Sequence, residues 1–332
     1  MIVGSPAAGG GLIDGGALVS KVVVAAGYGD PEQLEVREVE VPAPGPGQVT
    51  VEVRAAAINV IDLKIRSGAM GTDQSRLPRR LGLEVAGVAT AVGEDATGPG
   101  GPVAVGDEVV AYPVTGGYAE AVTVAATSVY GKPPSLSWPE AAGMSLTGVT
   151  AFHLVEATGV HVGDTVLIHG VAGGVGLTAA QLALGRGATV VGTAAEHRHE
   201  SLRGYGIVPV TYGEGLGERV RAAAPGGVEV ALDTVGTDEA VDVSLALVRD
   251  HRRVASIAAF DRAGEGFQLL GNGPGADPGT ELREAARLVI ADLAGRGELD
   301  VVVARTFPLT EAAEAHRLVA GGHAGGKVVL VP

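Results

Sequence analysis

The sequence contains no cysteine among its 332 residues. This absence excludes disulfide bonds and every metal site that needs a thiolate ligand, and it is typical of proteins from the reducing cytoplasm. Basic residues are also few, since 24 lysines and arginines stand against 38 acidic residues and give a formal net charge of -14. Because this charge repels phosphate backbones, we expect no nucleic acid partner, and from the lack of cysteine we expect a cytoplasmic location.

Long apolar runs are absent too, so we expect no membrane partner. Aromatic residues make up 3% of the chain and hydrophobic residues 46%, a composition typical of a globular protein. At 332 residues the chain exceeds the usual size of one hydrophobic core, which favours two domains. Residues 1–20 are rich in Gly and Ala and lack the basic start of a signal peptide, so we interpret them as a flexible N-terminal extension.

The remaining chain changes its pattern near residue 139. Before it, short valine-rich runs alternate with Gly and Pro, which predicts a β-rich, mostly antiparallel domain. After it, helices and strands alternate, which predicts an α/β region with a doubly wound parallel sheet. Residues 261–280 are predicted to form a long loop. The expected strands lie at 49–54, 85–92, 108–112, 166–169, 188–192, 208–212, 228–233, 253–258, 301–304 and 327–330, and the clearest helices at 140–157 and 281–293.

The glycine cluster after the predicted strand 166–169 is the most informative motif. In Gly170-Val-Ala-Gly-Gly-Val-Gly176, the residues Gly173, Gly174, Val175 and Gly176 stand where a strand leads into a helix, as a dinucleotide site requires. Glycines there let backbone amides approach a pyrophosphate. The spacing departs from GxGxxG, and a tight turn in any α/β protein is the alternative interpretation.

The next strand indicates which dinucleotide is bound. NAD-specific folds place a carboxylate at its tip, whereas this strand ends in Gly192-Thr193-Ala-Ala195. Thr193 and Arg198 could bind the 2′-phosphate of NADPH, which is therefore the predicted cofactor. In the alternative interpretation, Arg198 belongs to an ordinary solvated helix start.

With these motifs placed, the chain resembles the medium-chain dehydrogenase/reductase superfamily and, within it, the quinone oxidoreductase (zeta-crystallin-like) group. The resemblance rests on Pro42-Ala-Pro-Gly-Pro-Gly-Gln-Val49, Ala57-Ile-Asn59, Asp62, Arg66-Ser-Gly68, Glu84-Val-Ala-Gly87, Gly106-Asp107, Gly117-Tyr-Ala-Glu120, Ala172-Gly-Gly-Val-Gly176 and Gly325-Gly-Lys-Val-Val329.

The resemblance implies a GroES-like catalytic domain, formed by residues 21–145 and 286–332, that is interrupted by a Rossmann-like NADPH-binding domain at 146–285. It also implies a homodimer and an active site between the domains. Zinc-dependent relatives carry cysteine and histidine ligands, but here Asn59 lies near the position of the catalytic Cys, and Leu83 stands where those enzymes have His. We therefore expect no metal.

Without zinc, the expected chemistry is hydride transfer to an acceptor that is already electrophilic, such as a quinone or an enone. By resemblance, Asn59 lies near the nicotinamide and could donate to the acceptor oxygen. Lys64 falls where many quinone reductases have Tyr, so it could supply an ammonium donor or be a surface lysine.

The resemblance implies further cofactor contacts. Thr147 and Thr150 border the nicotinamide, although helix packing and capping would also explain them. Tyr212 matches a position against the adenine, or it is a core residue at a strand end. Two more candidates, Asp233 and the backbone of Ile257, lie where the expected strands 228–233 and 253–258 end. A third, Lys327, could approach the cofactor, or it could be only the first residue of the last strand.

Two rival functions stay open at this point. One is an alkenal or enoyl-thioester reductase of a biosynthetic pathway, which would differ in its pocket rather than in its cofactor motif. The other is a protein that binds NADPH without turnover, because fold and function are separable.

Overall fold

A computed structural model describes residues 18–322 and 324–332. The first elements are β1 (Leu18–Ala25), β2 (Leu34–Val41), β3 (Gln48–Ile58), α1 (Val60–Ser67), β4 (Arg79–Arg80), β5 (Val85–Val92), β6 (Thr97–Gly98), β7 (Gly101–Pro102), β8 (Glu108–Ala111), β9 (Ala121–Ala125) and β10 (Val129–Gly131). The predicted extension at 1–20 lies outside the described residues up to residue 17, and its residues 18–20 belong to β1.

The later elements alternate between helices and strands. They are α2 (Trp138–Ala157), β11 (Thr165–His169), α3 (Gly174–Gly185), β12 (Thr189–Thr193), α4 (His199–Gly204), β13 (Val208–Val210), α5 (Leu216–Ala223), β14 (Val230–Asp233), α6 (Asp238–Leu247), β15 (Val254–Ser256), β16 (Gln268–Leu269), α7 (Thr280–Gly295), β17 (Val303–Pro308), α8 (Ala312–Ala320) and β18 (Lys327–Val331).

The β-rich part is organised around the long strand β3. Its sheet has the order β10-β8-β5-β3-β18-β17, and β9 also pairs with β3. Strand β18 pairs antiparallel with the end of β3, so the chain terminus returns to the first sheet. The valines of β3, β5 and β9 pack into one core with Tyr118 and Phe307. The predicted strands at 49–54, 85–92 and 108–112 thus correspond to β3, β5 and β8.

Helix α1 follows β3 directly and was not predicted from the hydrophobic pattern. Its start is stabilised by Asp62, whose Oδ2 accepts the N–H of Asn59 at 2.9 Å. Its end is set by Gly68, which adopts a φ of 87° that favours glycine. Because capping rather than an apolar stripe defines this short helix, periodicity alone could not reveal it.

The second sheet is parallel throughout, in the order β13-β12-β11-β14-β15-β16. The strand order reverses between β11 and β14, which confirms the predicted doubly wound arrangement. The prediction of an uninterrupted loop at 261–280 is wrong, because β16 lies within it and extends the sheet beside β15. Two paired residues between glycine-rich flanks are too short for a detectable strand pattern.

Helices α2 and α7 connect the two parts of the molecule. Helix α2 begins after Ser137, which exchanges capping hydrogen bonds with Glu140. It packs against α7, and Gly148 of α2 lies so close to Ile290 of α7 that a Cβ added to the glycine would overlap the isoleucine side chain. The predicted domain limits at 145/146 and 285/286 fall inside these two continuous helices, so the division of the chain stays a prediction.

Across residues 18–322 and 324–332, the structure contains no helix that combines the length and apolarity needed to cross a bilayer.

Gly87 lies in β5 between β3 and β8, and an added Cβ would overlap the backbone carbonyl of Glu52. We expect Gly87→Ala to lower the free energy of unfolding by at least about 2 kcal/mol, because a close-packed sheet cannot move aside. Urea denaturation measures the change. Gly131→Ala in edge strand β10 is the control, because no atom lies within 4 Å of its added Cβ. Equal stability of the two variants would contradict this interpretation.

Candidate active site

The glycine turn between β11 and α3 forms a cradle for an anion at the carboxyl edge of the parallel sheet. Gly170 adopts a φ of 74°, and its N–H donates to Thr193 Oγ1 at 3.0 Å. An added Cβ at Gly176 would overlap the Gly170 carbonyl oxygen, so only glycine permits this packing. Gly173 precedes α3 without a side-chain cap, so no side chain of its own covers the first amides of the helix.

Lys327 lies beside this cradle with its ammonium group buried. Its Nζ donates to Asn59 Oδ1 at 2.6 Å and to Glu84 Oε1 at 2.9 Å. Asn59 Nδ2 also donates to Glu84 Oε1, at 3.0 Å. We call these three residues the ammonium cluster. Asn59 directly follows β3, Glu84 directly precedes β5, and Lys327 begins β18, and the register of these three strands brings the residues together.

Two glycines make room for the lysine side chain. An added Cβ at Gly143 in α2 would lie 3.1 Å from Lys327 Cγ, and one at Gly174 would lie 3.6 Å from Lys327 Cδ. The methylenes therefore pass between α2 and the start of α3. Lys327 and Gly174 line one cleft together with Thr147, Gly173, Asp300 and Gly326.

Glu84 anchors the ammonium cluster to the helix that joins the two sheets. Its side chain is fully buried, and its Oε2 accepts the N–H of Leu146 in α2 at 2.8 Å. A buried carboxylate with three donors is satisfied, because ionic hydrogen bonds offset the loss of water. Through these contacts Glu84 holds both Asn59 and Lys327 in place.

A further buried carboxylate supports the start of α1. Asp62 is fully buried, and its Oδ1 accepts the N–H of Gly82 at 3.1 Å in addition to the bond from Asn59. Burial raises the pKa of the Asp62 carboxyl to about 6. Nearby, His316 Nε2 lies 3.3 Å from the Tyr118 hydroxyl, and burial lowers the pKa of His316 to about 3.

Arg198 lies near the same cleft, between the turn after β12 and the segment before β18. Its Nη2 donates to the Gly325 carbonyl at 3.0 Å, whereas its Nε is buried without an acceptor among the described residues. Thr193 is buried and accepts the Gly170 N–H, so its hydroxyl proton is the part left for a phosphate.

Asp233 and Ile257 lie at the edge where β14 and β15 end. The Asp233 carboxylate accepts the N–H groups of Val235 and Gly236 at 2.9 and 3.0 Å and the Ser256 hydroxyl at 2.5 Å. The Ile257 N–H donates to the Asp233 carbonyl at 3.1 Å. Asp233 thus shapes the turn that follows β14.

The two predicted threonines of α2 differ in their surroundings. Thr147 lines the cleft, and its hydroxyl donates to the Gly143 carbonyl at 3.1 Å. Thr150 lies 3.5 Å from Arg283 Nη1, and Arg283 Nε donates to His153 Nδ1 at 3.1 Å. The pair of His153 and Arg283 was not among the predicted site residues.

Two predicted residues lie apart from these contacts. Lys64 is exposed on α1, and the described residues give it no side-chain hydrogen bond or ion pair. Tyr212 follows β13 with 54% of its surface exposed, which excludes its alternative interpretation as a core residue. The buried ammonium near Asn59 is that of Lys327.

Comparisons with known proteins agree with this architecture. The model of the alcohol dehydrogenase GroES-like domain matches residues 45–134, and that of the zinc-binding dehydrogenase matches residues 207–330. A spectinabilin polyketide synthase system protein of Streptomyces orinoci is 37% identical over 85% of this chain, which spans 13% of that protein. Human quinone oxidoreductase is 28% identical over 92% of this chain and 95% of its own length.

Among solved structures, a mycobacterial quinone oxidoreductase is 30% identical with a TM-score of 0.78, over 94% of this chain and 100% of that one. The chain belongs to the medium-chain dehydrogenase/reductase superfamily, in its zinc-free quinone oxidoreductase group. A mycobacterial protein complexed with NADPH is 29% identical with a TM-score of 0.78, over 94% of this chain and 100% of that one. The CurK enoyl reductase is 26% identical with a TM-score of 0.80, over 94% and 99%.

Membership of this superfamily makes the protein an oxidoreductase, and the ammonium cluster can be compared with the metal site of zinc-dependent members. Asn59, which the resemblance puts near the position of the catalytic cysteine in zinc-dependent members, binds the Lys327 ammonium through its amide oxygen. The Lys327 ammonium is thus the cation that lies beside the Asn59 amide and the Glu84 carboxylate. Within the described parts of the chain, no group of three or more His, Asp and Glu side chains is arranged to hold a metal ion.

The sequence predicted Asn59 and Lys327 as site residues, but it predicted neither their contact nor the part that Glu84 and Gly143 play. Glu84 carried one signal, a single carboxylate at the start of an apolar strand, where an unpaired charge would be unfavourable. Gly143 carried another, a glycine inside a predicted helix, which indicates close packing. Neither signal names the partner, because residues 59, 84, 143 and 327 meet only through the sheet register.

Asp62 gives a prediction for the pH dependence of stability. Its pKa is about 6 in the folded protein, above the ordinary value near 4, so the folded state holds its proton more tightly than the unfolded state. The stability it contributes is therefore full below about pH 4 and declines as the pH rises to about 6, by up to about 3 kcal/mol.

Asp62→Asn does not titrate, so its free energy of unfolding should lack this decline. Urea denaturation between pH 4 and pH 7 measures the difference between the wild type and the variant. Asp261→Asn, at an exposed position, is the control and should follow the wild type. Parallel curves for the wild type and Asp62→Asn would show that Asp62 does not titrate in this range.

Proposed function

We propose that this protein is an NADPH-dependent reductase that transfers hydride, without zinc, to a quinone or a related conjugated carbonyl. The observation that carries the proposal is the cleft that Gly174 and Lys327 line together. In it, an anion cradle for a dinucleotide adjoins a fixed positive charge for an electron-accepting oxygen.

The residues of the cleft fit NADPH. An added Cβ at Gly174 would lie 3.0 Å from Thr147 Cγ2 and fill the space at the cradle, so this glycine keeps the approach to the amides of α3 open. The buried Nε of Arg198 lacks an acceptor among the described residues, and a phosphate oxygen would provide one. Thr193 stands beside the same turn.

When bound, NADPH would supply the hydride. The protein would orient it through the cradle and through Thr147 and the Ile257 carbonyl, and Asn59 and Lys327 would present N–H donors to the acceptor oxygen. The second N–H of Asn59 is left for this purpose, since its first donates to Glu84. The homodimer implied by the resemblance and the cytoplasmic location expected from the lack of cysteine stay predictions.

A second candidate function is reduction of an enoyl thioester. The 37% identity with a polyketide synthase system protein and the similarity to the CurK enoyl reductase support it. Both reactions place negative charge on a conjugated oxygen, so the ammonium cluster serves either, and the acceptor pocket decides between them.

The test is NADPH oxidation, followed by absorbance in buffer with a chelator, against a panel of quinones, simple enones and crotonyl-CoA, with NADH run in parallel. We expect turnover of quinones that persists under chelation. Turnover restricted to crotonyl-CoA would select the second candidate. Tight NADPH binding without oxidation across the panel would overturn both and favour a non-catalytic role.

The cradle is tested by Gly174→Val, whose branched side chain would occupy the approach to the α3 amides. We expect the dissociation constant for NADPH, measured by nicotinamide fluorescence, to rise at least about 10-fold, because several backbone contacts are lost. Gly185→Val places the same side chain at the far end of α3, where no atom lies within 4 Å of an added Cβ, and should bind normally. Normal NADPH affinity in Gly174→Val would refute the cradle.

Cofactor choice is tested by Arg198→Ala. Loss of a charge-assisted bond to the 2′-phosphate should weaken NADPH about 10-fold or more, whereas NADH should change less than about 3-fold. Arg203→Ala, an exposed arginine of α4, is the control. Isothermal titration with both dinucleotides measures the ratio. Equal losses for NADPH and NADH would show that Arg198 only holds the Gly325 carbonyl.

A further inference from the structure

The ammonium group of Lys327 lies beyond the glycine cradle and not inside it. The Cγ and Cδ methylenes face Gly143 and Gly174, whereas Nζ lies beyond them against Asn59 and Glu84. Asn59 ends the β3 segment and Glu84 precedes β5, so the ammonium belongs to the β-rich side of the cleft. A charge placed there is displaced from the α3 amides, where a pyrophosphate would bind.

One N–H of the Lys327 ammonium has no acceptor among the described residues. Nζ has three N–H bonds, and within the described chain two of them have acceptors, Asn59 Oδ1 and Glu84 Oε1. Lys327 lines the cleft although its side chain is only 7% exposed. A donor held by two short contacts in a nearly dry site needs no reorganisation when charge develops beside it.

We propose that Lys327 is a catalytic residue of the reduction, in which its ammonium stabilises the oxyanion of the acceptor, and that Glu84 is the residue that positions it. This inference rests on the proposed function. It assigns to Lys327 the electrophilic role that zinc-dependent chemistry gives to a metal, and it makes Asn59 the second donor to the same oxygen.

The electron balance of the step requires no other group. A C–H bond of the reduced nicotinamide breaks and its electron pair forms a C–H bond at the β-carbon of the acceptor. The π pair between the β-carbon and the α-carbon then forms a π bond between the α-carbon and the carbonyl carbon, and the π pair of the carbonyl moves onto its oxygen. NADPH is oxidised and the acceptor is reduced by two electrons. Lys327 keeps its proton, and water protonates the resulting enolate at carbon. A quinone is a conjugated enone on both sides, so tautomerisation then gives the hydroquinone.

The decisive variant is Lys327→Met, which keeps the apolar stem and removes the charge. We expect the NADPH dissociation constant to stay within about 3-fold. Hydride transfer to a weak acceptor, cyclohexenone or crotonyl-CoA, should fall about 100-fold to 1,000-fold, as when an oxyanion donor is removed, and transfer to benzoquinone should fall less than about 10-fold. Single-turnover absorbance measures each rate.

A second readout needs no turnover. Para-nitrophenol mimics the acceptor oxyanion, and its colour reports whether the bound form is ionised. With and without NADP⁺, we expect the pKa of the phenol bound to the wild type to lie below that of the phenol bound to Lys327→Met by about one unit or more. If none of the acceptors in the panel makes the wild type oxidise NADPH, the proposed function fails. The phenol titration still tests whether Lys327 stabilises an oxyanion.

Removing the lysine leaves Glu84 buried without its cation, which could prevent folding. The double variant Glu84→Gln/Lys327→Met has no unpaired charge and should show the same acceptor dependence and the same phenol pKa. Lys132→Met is the matched control, because Lys132 is also a buried lysine paired with a glutamate, with 6% of its side chain exposed.

Two results would overturn the proposal. A loss of NADPH affinity above about 10-fold with an unchanged phenol pKa would assign Lys327 to the cofactor phosphates. A uniform loss of rate across all acceptors, again with an unchanged phenol pKa, would leave it only a structural role.

Discussion

The buried ion pair between Glu84 and Lys327 holds the rest of the site in place. A charged pair inside a protein is favourable only when its geometry and its additional hydrogen bonds are complete, and here the Asn59 amide and the Leu146 N–H complete them. Glu84 thereby joins β5 to α2, and Lys327 joins the end of the chain to β3.

Glycine is the second constraint, because the cleft depends on how closely backbone segments approach. Gly143 and Gly174 give the lysine stem its passage, and Gly176 lets α3 start against the Gly170 carbonyl. Each position has a neighbour that a methyl group would displace, so the same residues that shape the cradle also fix the distance from it to the ammonium. Packing and electrostatics are therefore linked in this site.

The cleft differs in charge from the protein as a whole. The protein carries a net charge of -14, yet Lys327 and the start of α3 line the cleft, and Arg198 binds the carbonyl of Gly325, next to the lining residue Gly326. An anionic cofactor thus depends on local donors rather than on the overall field. A relative named as quinone oxidoreductase and a solved structure named as enoyl reductase are both similar to this chain over more than nine tenths of its length.

The sequence by itself determined the α/β architecture, the glycine turn before α3, and the absence of cysteine ligands, because periodicity, glycine and residue chemistry are local properties. Its candidates Thr147, Gly174 and Lys327 line one cleft, and Asn59 binds the Lys327 ammonium, while Lys64 and Tyr212 lie exposed. Only the tertiary structure decided that Lys327 pairs with Glu84, that Gly143 gives it room, and that β16 completes the sheet. Those facts depend on strand register and helix packing between residues far apart in the chain, which no local pattern records.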